Sequence, residues 1–157
     1  MNTDIGIRSA RDLMKTDVIT VRVGTTLRDA AQILSEEHVH GVPVVDLTGA
    51  VVGVLSGTDL ATAMTEEISP HAPAPAVDYG DTDRFPVVDV DPDQTVEHVM
   101  STDVISAGPT ATAGDLAAIM GAQEVHRVLI LDDGALLGIV STTDLLPCLA
   151  EYENTLR

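Results

Sequence analysis

Two hydrophobic periods alternate along this chain. DVITV (17–21) and DVISA (103–107) are short runs rich in β-branched residues and predict strands. Each is followed by a stretch with helical spacing. Residues 26–37 place Leu27, Ala30, Ala31, Ile33 and Leu34 on one face, and 112–122 repeats the arrangement, so both predict amphipathic helices. Both open on Thr-x-x-Asp, at Thr26–Asp29 and Thr112–Asp115, a capping-box-like start. Two apolar runs come next, VPVVDLTGAVVGVL and VLILDDGALLGIV, broken at LTG and DDG, where glycine beside polar residues predicts hairpin turns. Ser56-x-x-Asp59 and Ser141-x-x-Asp144 then start a closing helix. The pattern reads β-α-β-β-α, twice.

The two copies align residue on residue. LMKTDVITV (13–21) lies on VMSTDVISA (99–107), and the offset of 86 carries Met14 to Met100, Asp29 to Asp115 and His40 to His126. One residue is lost in the hairpin, and at offset 85 Gly53 meets Gly138 and Asp59 meets Asp144. The repeats occupy 10–64 and 96–151. The intervening 65–95 is rich in Pro and Asp, with Pro70, Pro73, Pro75, Pro86 and Pro92 breaking any helix, and reads as an exposed linker. TVEHVM (95–100) precedes the second copy as ARDLM (10–14) precedes the first. A unit of about fifty residues cannot bury a two-sided sheet by itself. The expected fold is therefore α/β (α+β), with the tandem repeats packed sheet to sheet about a pseudo-twofold axis.

Composition narrows the function. The chain has 157 residues, 45% of them hydrophobic but only 2% aromatic, so Val, Leu, Ile, Ala and Met must build the core. Its formal charge is −17, from 25 acidic residues against 8 basic ones, and Lys15 is the only lysine. Such a surface is repelled by nucleic acid and anionic lipid, and stacking platforms for bases are lacking. No apolar run approaches the roughly 18–20 residues of a membrane span. MNTDIGIRSA lacks the build of a signal peptide, and the single Cys148 suits a reducing compartment. The expectation is a cytoplasmic protein that binds neither nucleic acid nor membrane, its acidity serving solubility or high-salt adaptation.

A β-α-β-β-α unit in tandem, opening on M-x-x-D-V-I-T/S and closing on G-h-h-S-x-T-D-L (h, aliphatic), resembles the CBS (cystathionine-β-synthase) domain pair, or Bateman module. The likeness covers nearly everything but the linker and the extreme ends. It implies two clefts that bind adenosine-containing effectors: AMP, ADP, ATP, S-adenosylmethionine or a dinucleotide. No cofactor is required, and two modules often form a disc-like homodimer. Carried over residue by residue, Asp59 and Asp144 would accept from the ribose hydroxyls, a charge-assisted contact that one carboxylate can make twice. Ser56, Thr58, Ser141 and Thr143 would face the ribose and α-phosphate from a helix N-terminus. The purine would lie against Val18, Ile19, Val42 and Pro43 in one cleft and Val104, Ile105 and Val128 in the other, with Thr16, Thr102, His40 and His126 alongside. Arg127 stands where the family often places a phosphate-contacting base, whereas the first copy has Gly41 there. Phosphate contacts in the family can cross from one repeat to the other, so Arg127 could serve either cleft. The departure from the family pattern at Gly41 leads to the expectation of unequal sites.

Each motif also has a plainer reading. Ser/Thr-x-x-Asp starts all four main helices, and capping alone accounts for it, at about 0.5–2 kcal/mol per cap. Four of the chain's 5 histidines, His38, His40, His98 and His126, show no zinc-like spacing and suit local backbone contacts or cleft lining. Arg127 suits a surface cation, Cys148 a small apolar filler, Met14 and Met100 core positions, and DYGDTD solvated chain. No G-x-S-x-G, GxxxxGK[ST] or H-E-x-x-H motif is present. The expected role is a stand-alone, non-enzymatic sensor of an adenosyl ligand, signalling through a homodimer or a regulated partner. A ligand-free interaction module is the alternative.

Overall fold

A computed structural model describes residues 8–66 and 93–156. Most of the Pro- and Asp-rich linker, DYGDTD included, lies outside the described residues. The element order is α1 (Ala10–Leu13), β1 (Val21–Arg22), α2 (Leu27–Glu36), β2 (Gly41–Val45), β3 (Val51–Ser56) and α3 (Gly57–Glu66). After a 3-10 turn at Val96–His98 come β4 (Ser106–Ala107), α4 (Ala113–Gln123), β5 (Arg127–Asp132), β6 (Ala135–Ser141) and α5 (Thr142–Thr155). The chain is a mixed α/β protein with two three-stranded sheets, β1-β2-β3 and β4-β5-β6. In each sheet the first strand runs parallel to the second and the hairpin is antiparallel.

The turns and helices form for the reasons the sequence suggests. Asp132 pairs with Ala135 across a two-residue turn in which Asp133 and Gly134 both have positive φ, 47° and 84°. That is the conformation for which Asp-Gly is suited in a tight hairpin. The LTG turn is longer, and Asp46 organises it by accepting from the N–H groups of Thr48 and Ala50. On α2, Leu27, Ala30 and Leu34 are buried. On α4, the Thr112 N–H and hydroxyl donate to Asp115 while the Asp115 N–H donates back to Thr112 Oγ1, a complete capping box. The α2 start is half of one: Asp29 N–H donates to Thr26 Oγ1 at 3.1 Å, with no return bond.

The predicted first strands are shorter than the β-rich runs. Only Val21–Arg22 and Ser106–Ala107 pair with a neighbour. The chain divides into two compact units within those runs, so Asp17, Val18 and Asp103 go to the opposite unit. Ile19, Thr20, Val104 and Ile105 stay with their own sheet but outside its strands. One unit is Ile19–Asp103; the other joins everything from Val104 onward to the residues up to Val18. We call them the first-repeat and second-repeat units.

Each unit is completed by the segment that precedes the other copy in sequence. In the second-repeat unit Ala10 and Arg11 donate to the carbonyls of Ala111 and Pro109, and Ala113 donates to that of Arg8. Lys15 then exchanges backbone hydrogen bonds with Ile139, at 2.9 and 3.0 Å. The first-repeat unit repeats this frame: Val96 donates to Thr25, Leu27 to Gln94, and Ser101 exchanges bonds with Val54, both at 2.9 Å.

These close approaches explain a glycine in the middle of a strand. A Cβ on Gly138 would stand 2.7 Å from the Lys15 carbonyl and 2.9 Å from Met14 Sδ; on Gly53 it would stand 2.8 Å from the Ser101 carbonyl and 2.6 Å from Met100 Sδ. Only glycine lets the preceding segment lie so near the sheet. The first-repeat core centres on Leu27, Leu34, Val42, Val44, Leu55 and Leu60, with Met100 packed against it. The second centres on Leu116, Val128, Ile130 and Val140, with Met14 packed against it. The cores are aliphatic, as the composition requires.

Candidate functional site

The closing helix of each repeat begins where β3 or β6 ends, and its first turn is held from two sides. At α5 the Ser141 N–H and hydroxyl both donate to Asp144 Oδ2, at 2.8 and 2.6 Å. Thr142 donates its N–H to the carbonyl of His126, and its hydroxyl reaches the same oxygen. At α3 the Ser56 N–H and hydroxyl donate to Asp59 Oδ2, both at 2.7 Å, and Gly57 donates to the carbonyl of His40. The paired histidines therefore serve the helix start through their carbonyls. Capping is real at both places.

It uses only one carboxylate oxygen. Asp144 Oδ1 points the other way and meets Lys15 Nζ at 3.2 Å. The Asp144 side chain is 14% exposed, and burial opposes its ionisation. The Ser141 hydroxyl and N–H and the Lys15 ammonium outweigh that and hold the carboxyl below the usual aspartate range.

Beside this pair lies a cleft of about 460 Å³, wholly within the second-repeat unit. Of the sequence candidates it gathers His126, Arg127, Ser141, Thr143 and Asp144. Its volume falls within the range usual for small-molecule sites, about 300–1,000 Å³. Two of the chain's 8 basic residues, Lys15 and Arg127, line it beside the positive end of α5. In a protein of charge −17 that is a local reversal of sign.

The other candidates are placed differently. Thr16, Val18, Val104, Ile105 and Val128 belong to the same unit but do not line this cleft. Val128 and Val42 are 0% and 1% exposed and belong to the cores, so neither offers a base any surface. Ile19, His40, Val42, Pro43, Ser56, Thr58, Asp59 and Thr102 all belong to the first-repeat unit. There the frame is duplicated but the cations are not: Ser101 stands for Lys15 and Gly41 for Arg127.

Lys15, Ile139 and Thr142 line the cleft although no motif marked them. For Lys15 one signal existed, a lone lysine beside Met14 where the second copy has Ser101 beside Met100.

A larger groove, about 730 Å³, lies between the starts of α4 and α5 in the same unit, lined by Ala113, Ala117, Leu145, Leu146, Cys148 and Leu149 among others. It is mostly apolar, and the charged groups on its lining, Arg8 and Glu151, are paired with each other, so the smaller cleft is the better candidate for recognising a polar ligand. Among the described residues no group of three His, Cys, Asp or Glu side chains converges as metal ligands would. No helix there is long and apolar enough to cross a membrane.

Doubled sheets, exchanged leading segments and paired Ser-x-Thr-Asp helix starts define a tandem module of the cystathionine-β-synthase type. The family model for the CBS domain matches residues 10–66 and 96–151, and the chain belongs to the CBS domain family. The CBS domain-containing protein YhcV of Bacillus subtilis is 29% identical over 137 residues, which span 87% of this chain and 82% of that one. The CBS domain pair of protein MJ0100, solved in complex with 5′-methylthioadenosine and S-adenosyl-L-methionine, matches with TM-score 0.67 at 22% identity, covering 93% of this chain and 98% of that one. CBSX2 in complex with AMP matches with TM-score 0.68 at 21% identity, over 92% and 98%. These likenesses establish the fold.

Proposed function

We propose that this chain is a regulatory module that binds an adenosine-containing ligand in the cleft of the second-repeat unit and reports its presence to a partner. One observation carries the reading. Asp144 keeps its helix start with Oδ2 and turns Oδ1 into a polar cleft flanked by Arg127 and Lys15. A capping residue needs no cationic cleft, but a receptor for ribose and phosphate does. Solved relatives of this fold hold S-adenosylmethionine with methylthioadenosine in one case and AMP in another, which supports the ligand class. The first-repeat unit, with Ser101 and Gly41 in place of the cations, is the weaker site or none. Binding acts by favouring one arrangement of the module over another, which requires different affinity for the two.

Thermal shift tests this with ATP, ADP, AMP, S-adenosylmethionine and NADH. A ligand at a hundred times its Kd adds about 2.7 kcal/mol, which for a chain of this size raises Tm by roughly 5–10 °C. Failure of every ligand to raise Tm overturns the reading.

The partner side rests on α5. Leu146, Leu149, Tyr152 and Leu156 are 50–70% exposed and fall along one side of the helix at steps of three and four residues. With the adjoining groove they form an apolar face that a second copy of the chain would cover, giving a homodimer through which binding is signalled.

A further inference from the structure

The ion pair at the cleft sets a condition on what can enter it. Asp144 Oδ2 already receives two bonds from Ser141, so Oδ1 is the carboxylate oxygen left for a ribose diol, and the Lys15 ammonium sits on it at 3.2 Å. Lys15 is anchored and free at once. Its main chain is fixed to Ile139 by a hydrogen bond in each direction, while its side chain is 69% exposed and able to swing. A ribose that takes Oδ1 must displace that ammonium and leave it beside Arg127, two cations at the positive end of α5. A neutral nucleoside gives them nothing in return, and a sulfonium adds a third positive charge. A phosphate gives them an anion.

We propose that Lys15 is an exchangeable counterion, passed from Asp144 to the ligand's phosphate on binding, and that this makes the second-repeat cleft selective for adenosine phosphates over adenosine and S-adenosylmethionine. The inference rests on the nucleotide reading above and names its ligand class. The first-repeat unit is the built-in contrast: Ser101 occupies the Lys15 position with the same backbone bonds, and among the described residues no cation pairs with Asp59. Fold alone does not decide the matter, since related structures hold ligands of both charge types.

The test is calorimetric titration of the full chain with AMP, adenosine and S-adenosylmethionine, in wild type, Lys15→Met and Lys15→Arg. Wild type should prefer AMP to both other ligands by roughly ten- to a hundredfold, the weight of a hydrogen bond to a charged group. Lys15→Met should lose about that factor for AMP while adenosine binds as well or better, because Oδ1 is no longer occupied. Lys15→Arg should keep the preference. Adenosine or S-adenosylmethionine binding wild type as tightly as AMP overturns the inference while leaving adenosyl sensing intact. So does a Lys15→Met variant that weakens AMP and adenosine alike, the mark of a structural role. If wild type binds none of the three, nor ATP, the nucleotide reading itself fails and the counterion role fails with it.

Discussion

Replacing Asp144 by Asn and by Ala separates the two jobs of one side chain. Alanine removes both. It strands the Ser141 N–H and hydroxyl, which now donate at 2.8 and 2.6 Å, and frees Lys15. A cap is worth about 0.5–2 kcal/mol and a partly exposed ion pair up to about 1, so Asp144→Ala should cost about 2 kcal/mol. For a chain of this length that lowers Tm by roughly 4–8 °C. Asparagine keeps one carbonyl oxygen to accept both Ser141 bonds and loses only the charge, so its cost should be about 1 kcal/mol, or roughly 2–4 °C. Its other atom is then an NH₂ facing the cleft, which cannot accept from ribose hydroxyls. Asp144→Asn should therefore keep most of the stability and lose AMP affinity by at least about tenfold. Asp115→Asn, at the equivalent box of α4, should lower Tm without touching affinity. Urea melts followed by circular dichroism at the helical band, with titration of AMP on each variant, supply both readings. An Asp144→Asn protein that binds AMP as wild type does would refute the ribose role and leave capping as the whole explanation.

Four further outcomes follow from the same geometry. Gly138→Ala drives a Cβ to 2.7 Å from the Lys15 carbonyl, so it should destabilise by about 2 kcal/mol in a thermal melt and weaken AMP binding by moving Lys15. Gly121→Ala, where nothing lies within 4 Å on α4, should instead stabilise by about 0.5–1 kcal/mol. Because Ser141 helps hold the Asp144 carboxyl below its usual value, Asp144 contributes stability above pH about 4 that is lost as pH falls through the lowered folded-state value. Ser141→Ala should thus be less stable than wild type at pH 7, with the gap shrinking in acid; a gap independent of pH in urea melts would contradict this. Leu149→Glu places a charge in the exposed stripe of α5 and should turn a dimer into a monomer by light scattering, with AMP affinity retained.

Much of this fold was legible because its signals are local. Asp133-Gly134 dictates its own turn, Thr112 and Asp115 cap within one turn of helix, and α2 buries the face its period marks. The offset of 86 then doubles each signal, so either copy confirms the other. What stayed hidden is non-local. Nothing in ARDLMK says that Met14 and Lys15 will lie against Gly138 at the far end of the chain. The glycine itself was the available clue, since a strand interior tolerates it chiefly where another backbone comes close. The first strands were over-read for a related reason: β-branched composition marks DVITV throughout, but only Val21–Arg22 pairs with a strand, and Asp17 and Val18 belong to the other unit. At the site, Ser-x-Thr-Asp and Arg127 were visible as residue types, whereas the division of labour between the two oxygens of Asp144 is a matter of geometry. Val42 and Val128 looked like cleft-lining aliphatics because periodicity does not say which face of a β-strand meets the core.

The central claim is that two copies of one frame carry one nucleotide site, in the half that holds Lys15 and Arg127. Calorimetric titration of wild type with AMP reads this directly as a stoichiometry. The account predicts one AMP per chain at the tight site, abolished by Asp144→Ala and left in place by Asp59→Ala. Two equivalent AMP sites per chain, or a tight site that survives Asp144→Ala and disappears with Asp59→Ala, would contradict it.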